Sequence, residues 1–206
     1  MRIAGYRNRL TEDHLVWMRI PVRFWDARLD RIQDPSLKEV VRQYGRDIDQ
    51  NLDEGSGLLF YGDNSLGKTC AAVVLAKEAR RVGASVLFIT AESLRQSVID
   101  KTRLYDDVLV YDRAEQVDVM ILDDLAKEHS DDGGWSRRTI ENLLRVRSAN
   151  CRVTIITTNA SLEKLERDYK ASFTEILREA CLPVRVEGKN LRAEAGEELR
   201  ARLVTG

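Results

Sequence analysis

The amino-acid sequence predicts an α/β fold, in which one parallel sheet lies between two layers of helices. The main observation is that short apolar runs, typical of buried strands, alternate with segments of helical character along the chain. A second observation is a glycine-rich loop that directly follows the first apolar run. Parallel strands need crossover connections, so this order favours a parallel sheet with its ligand at the carboxyl ends of the strands.

Five strands and the helices between them are predicted from these patterns. The strands are predicted at residues 58–61, 84–90, 117–122, 151–159 and 183–187. One long helix is predicted to start near Pro35, and further helices at 70–79, 92–103, 137–147, 162–169 and 172–180. A polar connection is predicted after residue 103, through Tyr111.

Length and composition predict one soluble globular domain. The chain has 206 residues, of which 43% are hydrophobic and 33% are charged. No apolar run approaches the roughly 18 residues that span a bilayer, and the beginning of the chain lacks the apolar core of a signal peptide. We therefore expect a cytoplasmic protein that does not contact a membrane.

Charge and cysteine usage add two weaker indications. The net charge is −1, but residues 1–46 hold ten Lys or Arg and six Asp or Glu, so this part could contact a polyanion. The three cysteines, Cys70, Cys151 and Cys181, form no CxxC pair. Their spacing favours buried free thiols over a zinc site or disulfides.

The loop between the first strand and the next helix carries the strongest motif. Its sequence GDNSLGKT fits the pattern GxxxxGK[ST], in which backbone N–H groups surround phosphates at a helix N-terminus. Lys68 is expected to neutralise the β and γ phosphates, and the Thr69 hydroxyl to bind Mg2+. ATP and Mg2+ are therefore the predicted cofactors, and the residues predicted to contact ATP are Gly62, Asp63, Asn64, Ser65, Leu66, Gly67, Lys68, Thr69 and Cys70.

Two later strands end in polar residues that fit the same site. Asp123 closes the third strand and is predicted to hold Mg2+, while Asp124 is predicted to orient the attacking water. Hydrolytic ATPases usually carry Glu at the second place, and the shorter Asp predicts slow turnover. The fourth strand ends at Asn159, where either a γ-phosphate sensor or a simple Asx turn would fit.

These three elements resemble the AAA+ class, and more narrowly the DnaC and IstB type of ATPase, which includes bacterial and phage helicase loaders. The segments IPVRFWDARLD, ILDDLAKE, ENLLRVR and PVRVEGKNLR extend the resemblance over roughly residues 20–192. The resemblance implies an AAA+ domain over residues 51–206 with a reduced C-terminal lid, after a partner-binding segment at 1–50. It also implies that Asn159 is sensor 1 and that Arg192 is the sensor 2 arginine.

The sequence departs from this family at the arginine that completes a neighbouring subunit's ATP site. Members usually carry it at the start of the helix SFTEILREA, where this chain has Ser172 and Phe173. Arg178 or Arg147 could take the role. An ATP-dependent homo-oligomer is therefore predicted only if one of them does.

The resemblance implies loading of a replicative DNA helicase onto single-stranded DNA. The segment DDGGWSRRT offers Trp135 for base stacking and Arg137 and Arg138 for phosphates, although Trp135 could instead pack on the domain. Two alternatives stay open. The partner could be a transposase, as for IstB-like proteins, or the chain could be a nucleotide switch that scarcely hydrolyses ATP.

Overall fold

Five parallel strands form one sheet at the centre of the protein. The computed structural model describes residues 9–99, 106–126, 135–169, 171–188 and 200. The strands are β1 (Gly57–Tyr61), β2 (Val86–Thr90), β3 (Val119–Leu125), β4 (Val153–Thr158) and β5 (Cys181–Arg185). They pair in parallel in the order β2-β3-β4-β1-β5, which confirms the predicted α/β fold.

Helices connect the strands and cover both faces of the sheet. They are α1 (Glu12–Trp17), α2 (Pro35–Arg46), α3 (Ile48–Glu54), α4 (Lys68–Arg81), α5 (Ala91–Ile99), α6 (Asp106–Gln116), α7 (Trp135–Ala149), α8 (Leu162–Asp168) and α9 (Ala171–Ala180). Local sequence explains several starts. Asp34 caps α2 by accepting a hydrogen bond from the Ser36 N–H, and Ser161 caps α8 in the same way.

Two helix predictions were wrong. The helix predicted from Pro35 is divided at Asp47, whose backbone (φ −96°, ψ 23°) is not helical, so α2 and α3 are separate. The predicted polar connection through Tyr111 is instead the helix α6. Val110 and Ala114 lie one helical turn apart and are buried in the core, so tertiary packing stabilises this helix despite its polar start.

The core has two layers because strand side chains alternate between the faces. On one face, Phe60, Phe88 and Ile121 pack with α2, α3 and α4. On the other face, Leu59 and Met120 pack with the helices α5 to α9. This arrangement leaves the carboxyl ends of the strands for the glycine-rich loop.

The N-terminal segment, defined here as residues 9–34, packs into the first layer. The Phe88 N–H of β2 donates to the Met18 carbonyl at 2.8 Å. The buried Lys77 Nζ of α4 donates to the carbonyls of Trp25 and Ala27 at 2.6 and 2.9 Å. Residues 15–52 therefore share one core with the sheet, and the role of the segment at 1–50 in partner binding stays a prediction.

The cysteines differ from expectation in one case. Cys181 is buried and Cys70 is partly buried, but Cys151 is exposed at the turn after α7. The prediction of three buried thiols was therefore wrong for Cys151. Within the part of the chain that the structure describes, no helix is both long enough and apolar enough to cross a membrane.

Candidate nucleotide-binding site

The loop between β1 and α4 requires both of its motif glycines. Gly62 has φ +140° and Gly67 has φ +93°, in the region that favours glycine. A Cβ atom on Gly62 would lie 2.3 Å from the Val186 carbonyl oxygen. The loop therefore stays compact, and no Cβ atom at these glycines covers its backbone in front of the N-terminus of α4, where phosphates bind well.

Lys68 brings the loop and the end of β4 together. Its side chain is buried, and Nζ donates to the carbonyls of Gly62 and Asp63 at 2.8 and 2.6 Å. The same Nζ donates to Asn159 Oδ1 at 2.8 Å. Asn159, predicted as sensor 1, therefore lies within hydrogen-bond distance of the lysine predicted to neutralise the phosphates. The side chain that forms the turn at this strand end is Thr158, whose hydroxyl oxygen accepts a hydrogen bond from the Ala160 N–H.

Three oxygen-bearing side chains meet at the predicted magnesium position. Thr69 Oγ1 and Thr157 Oγ1 both donate to Asp123 Oδ1, at 2.8 and 2.6 Å. Burial raises the pKa of Asp123, and the hydrogen bonds from Thr157 and Thr69 partly oppose that shift. A buried carboxylate beside a threonine hydroxyl is a hard oxygen donor set, which fits Mg2+.

Asp124 lies in a β-bulge of β3. The register shifts between Leu122 and Leu125, so β3 has one more residue there than β4. Asp124 has φ +61° and donates its N–H to Thr157 Oγ1 at 3.0 Å. Since Asp and Asn adopt the left-handed region more readily than other side chains, this backbone gives a physical reason for Asp where Glu is usual.

Two clefts flank the loop at the carboxyl ends of the strands. One has a volume of about 200 Å³ and is lined by Phe24, Asn64, Ser65, Leu66, Gly67, Lys68, Thr69, Cys70, Asp124 and Asn159. The other has a volume of about 450 Å³ and includes Gly62, Asp63 and Asn159. The structure therefore brings all nine residues predicted to contact ATP to these clefts, together with Asp124 and Asn159.

Sequence reasoning misses two residues of this site. The helical spacing of Phe24 with its apolar neighbours predicts a packing role for this residue. In the structure Phe24 lines the cleft, and the Arg23 guanidinium stacks on the Phe24 ring, 4.6 Å from its centroid. Thr157 reads in the sequence only as part of a polar strand end, yet it contacts both Asp123 and the backbone of Asp124. Its place two residues before Asn159, on the strand next to β3, is the signal that could have found it.

The two arginines predicted to reach a neighbouring subunit's ATP site, Arg147 and Arg178, differ in their exposure. The Arg147 side chain is completely buried and donates to Thr154 and to backbone carbonyls, so it cannot reach a neighbouring subunit, and the prediction was wrong for this residue. Arg178 is exposed and pairs with Glu166, so it stays a candidate. Ser172, at the usual arginine position, donates to Glu141 Oε1 at 2.8 Å. Arg192 lies outside the described residues.

The predicted DNA-contacting residues are placed only in part. The side chain of Trp135 lies outside the part of the structure that is described. Arg137 donates to the Asp168 carbonyl and stacks 5.0 Å from the Tyr169 ring centroid, so it connects α7 to the end of α8. Arg138 is exposed. Arg137 is therefore engaged within the domain, and the contact of both arginines with DNA stays a prediction.

Replacing Thr157 with valine is expected to lower the affinity for Mg2+ in the presence of nucleotide by roughly tenfold, as for other residues that orient a metal ligand. Valine keeps the shape of the side chain but removes the donor to Asp123 and the acceptor for Asp124. Titrating Mg2+ at fixed nucleotide measures the effect, and Thr157→Ser is the matched control because it keeps the hydroxyl. An unchanged titration for Thr157→Val would contradict the assigned role.

A parallel sheet with a glycine-rich GxxxxGK[ST] loop before a helix, a buried carboxylate beside the loop threonine and a polar strand end defines a P-loop nucleotide-binding protein. The model of the ATPase family associated with various cellular activities (AAA) matches residues 58–179. The chain therefore belongs to the AAA family of ATPases, as the sequence motifs predicted. No curated protein matches this chain.

Solved structures with the same fold include DnaI, the DnaC helicase loader and the replication initiator DnaA. The structure of DnaI has a TM-score of 0.69 and 20% identity, and the match covers 82% of this chain and 96% of DnaI. The DnaC helicase loader has a TM-score of 0.68 and 24% identity over 81% of this chain and 100% of that structure. DnaA bound to AMPPCP and single-stranded DNA has a TM-score of 0.66 and 15% identity over 80% and 51%, respectively.

Proposed function

We propose that this protein is an ATP-dependent loader of a replicative DNA helicase onto single-stranded DNA. The observation that carries the proposal is the joint placement of Lys68, Asp123 and Asn159 at the carboxyl ends of adjacent strands. Similarity in fold to the DnaC helicase loader supports the helicase as partner. Similarity in fold to DnaA bound to single-stranded DNA supports the strand as the second ligand.

The site residues have separate roles in this proposal. The loop N–H groups and Lys68 bind the phosphates, and Thr69 with Asp123 holds Mg2+, which neutralises charge on the β and γ phosphates. Asp124 orients the water that attacks the γ-phosphate, and Asn159 senses whether that phosphate is present. Phe24 packs against the base or sugar, because it is an aromatic side chain that lines the smaller of the two clefts beside the loop.

The contact between Lys68 and Asn159 gives a physical basis for sensing. The Lys68 ammonium group donates to oxygen atoms of Gly62, Asp63 and Asn159. A γ-phosphate is a stronger acceptor than a carbonyl or amide oxygen, so it would compete for this ammonium group and shift Asn159. The strand end that carries Asn159 would thereby respond to ATP differently from ADP.

A competitive capture experiment tests the choice of partner. The full chain, immobilised with a non-hydrolysable ATP analogue, is offered purified replicative helicase and a transposase together. Retention of the helicase is expected. If a Lys68→Ala variant no longer retains the helicase, helicase binding depends on bound nucleotide. Retention of the transposase alone would instead favour an IstB-like role, and retention of neither would favour a nucleotide switch.

Replacing Asp124 with asparagine is expected to lower the rate of ATP hydrolysis by at least about tenfold while ATP binding is kept, because the base that orients water is lost. Asparagine tolerates the left-handed backbone at this position, so the bulge should persist. Asp123→Asn is the matched comparison, and it should instead abolish the effect of Mg2+ on binding. Steady-state phosphate release and calorimetry measure the two effects. Parent-like hydrolysis in both variants would contradict the assignment.

Replacing Arg178 with alanine is expected to prevent ATP-dependent assembly. In this proposal its guanidinium reaches the γ-phosphate of a neighbouring subunit, so oligomers form with ATP and dissociate with ADP. Light scattering with a non-hydrolysable ATP analogue and single-stranded DNA measures the size. Arg167→Ala is the control, because Arg167 is equally exposed on the adjacent helix. A monomer under every condition would refute self-assembly and leave a protein that acts on its partner's ring.

A further inference from the structure

An exposed tryptophan on the N-terminal segment stacks on an arginine of α6. Trp17 ends α1 and is 70% exposed. The Arg113 guanidinium of α6 stacks over the indole, 4.6 Å from the ring centroid, and also donates to the carbonyls of Trp17 and Val86. One face of the ring is therefore covered by this guanidinium, and most of the remaining ring surface faces solvent.

This tryptophan borders a groove with a positive balance of charge. The groove has a volume of about 700 Å³, and its lining includes Trp17, Arg19, Arg113, Ser85, Gln116 and Asp112. Burial, and then the nearby charge of Arg19, lower the pKa of Arg113, so the two cations lie close enough to repel. An anion placed between them would relieve that repulsion.

These features together match the requirements of single-strand binding. Proteins bind unpaired nucleic acids through exposed aromatic rings on which bases stack and through cations that contact the phosphates. A ring that already stacks on a guanidinium through one face loses less conformational entropy when a base stacks on its other face. Residues 1–46 carry a surplus of basic residues, and Arg19 of this range lines the groove, which agrees with this ligand class.

We propose that the groove lined by Trp17, Arg19 and Arg113, here called the Trp17 groove, binds single-stranded nucleic acid. A base stacks on the open part of the indole, and adjacent phosphates pair with the two arginines. The proposal rests on the proposed function, since a helicase loader must hold a single strand. It assigns the strand to a surface other than the start of α7, where Arg137 is engaged with Tyr169.

The position of the Trp17 groove separates strand binding from ATP chemistry. Ser85 precedes β2 and Val117 precedes β3, so the groove lies at the amino ends of these strands. The nucleotide clefts lie at the carboxyl ends. The N-terminal segment spans both sites, because Trp17 borders the groove and Phe24 lines the nucleotide cleft.

Fluorescence anisotropy with labelled oligothymidylate and oligouridylate of about 20 nucleotides tests the proposal. The full chain is titrated with a non-hydrolysable ATP analogue present. Trp17→Ala should weaken binding about tenfold, and Trp17→Phe, which keeps a ring, should recover most of it. Arg19→Gln should make the salt dependence shallower by about 0.7 in log–log slope, the value for one phosphate contact on a single strand. The two oligonucleotides distinguish a DNA strand from an RNA strand.

The outcomes separate this inference from the proposed function. If the parent binds the strand and Trp17→Ala binds equally well, the Trp17 groove is overturned but strand binding stands, and Trp135→Ala is then expected to show the loss. If the parent binds no strand in any nucleotide state, the strand-binding part of the proposed function fails as well. If Trp17→Ala loses helicase but keeps the strand, the groove is a protein contact and the inference is overturned. Unchanged ATP affinity and melting temperature in Trp17→Ala show that the fold is intact.

Discussion

Replacing Lys68 with alanine is expected to lower the affinity for ATP by roughly a hundredfold or more. The ammonium group is buried in the loop, and two charge-assisted contacts to phosphate are worth about 1.5 to 3 kcal/mol each. Alanine leaves the negative charge of the phosphates uncompensated in a site built around a cation. Calorimetric titration with ATP and Mg2+ measures the loss.

The control for this variant is another lysine of the same domain. Lys164→Ala removes an exposed lysine from α8 and should leave the affinity unchanged. Both variants should keep a cooperative thermal transition, since neither removes a core contact of the sheet. Parent-like ATP affinity in Lys68→Ala would remove the phosphate-binding role of the loop.

Replacing Arg147 with methionine is expected to destabilise the protein by about 3 kcal/mol or more, because several buried acceptors lose their donor at once. Arg147 donates to the carbonyls of Ala114 and Val117 at 2.6 and 2.9 Å. These acceptors lie at the C-terminal end of α6, where helical carbonyls have no intrahelical partner. It also donates to Thr154 Oγ1 at 3.0 Å and to the Val153 carbonyl at 2.5 Å.

The charge of Arg147 is retained inside the core. Burial lowers its pKa to about 9, so the guanidinium is still protonated at neutral pH. A cation is favourable at a helix C-terminus, which is where α6 ends. Methionine has similar length but can neither donate hydrogen bonds nor carry this charge.

Arg145→Met provides the matched control for the stability measurement. Arg145 lies on the same helix, is 59% exposed and pairs with Glu141 at 3.3 Å, so its loss should cost little. For a domain of this size, the expected loss at Arg147 corresponds to a decrease in melting temperature of roughly 6 to 12 °C. Equal melting temperatures for the two variants would show that the buried hydrogen bonds of Arg147 contribute no net stability.

The sequence predicted the sheet and the phosphate loop well because both depend on local patterns. Apolar runs of strand length predicted all five strands, with boundaries within a few residues. Gly62 and Gly67, the two fixed glycines of the motif, have the positive φ that glycine adopts more readily than other residues, so the loop conformation follows from local sequence. The bulge at Asp124 could not be predicted in this way, since a register shift depends on which strand pairs with which.

Two other errors have recognisable signals in the sequence. Val110, Ala114 and Val117 follow a spacing of four and then three residues, which is the spacing of one helical face, and all three are buried. Likewise Arg147 continues the face formed by Ile140, Leu143 and Leu144, so its helix position already places it in the core. A charged residue is ordinarily expected at the surface, and the buried carbonyls that bind this one come from segments distant in the sequence.

The two edges of the sheet are shielded from other chains by different means. At β2, the N–H of Phe88 is already bonded to Met18, so this edge offers one fewer donor to a strand from another molecule. At β5, Pro183 has no N–H, and the ion pair of Arg185 with Glu187 adds charge beside it. Removing residues 9–20 would uncover the first edge only, so such a truncated chain should aggregate through intermolecular β-pairing even if its nucleotide site were intact.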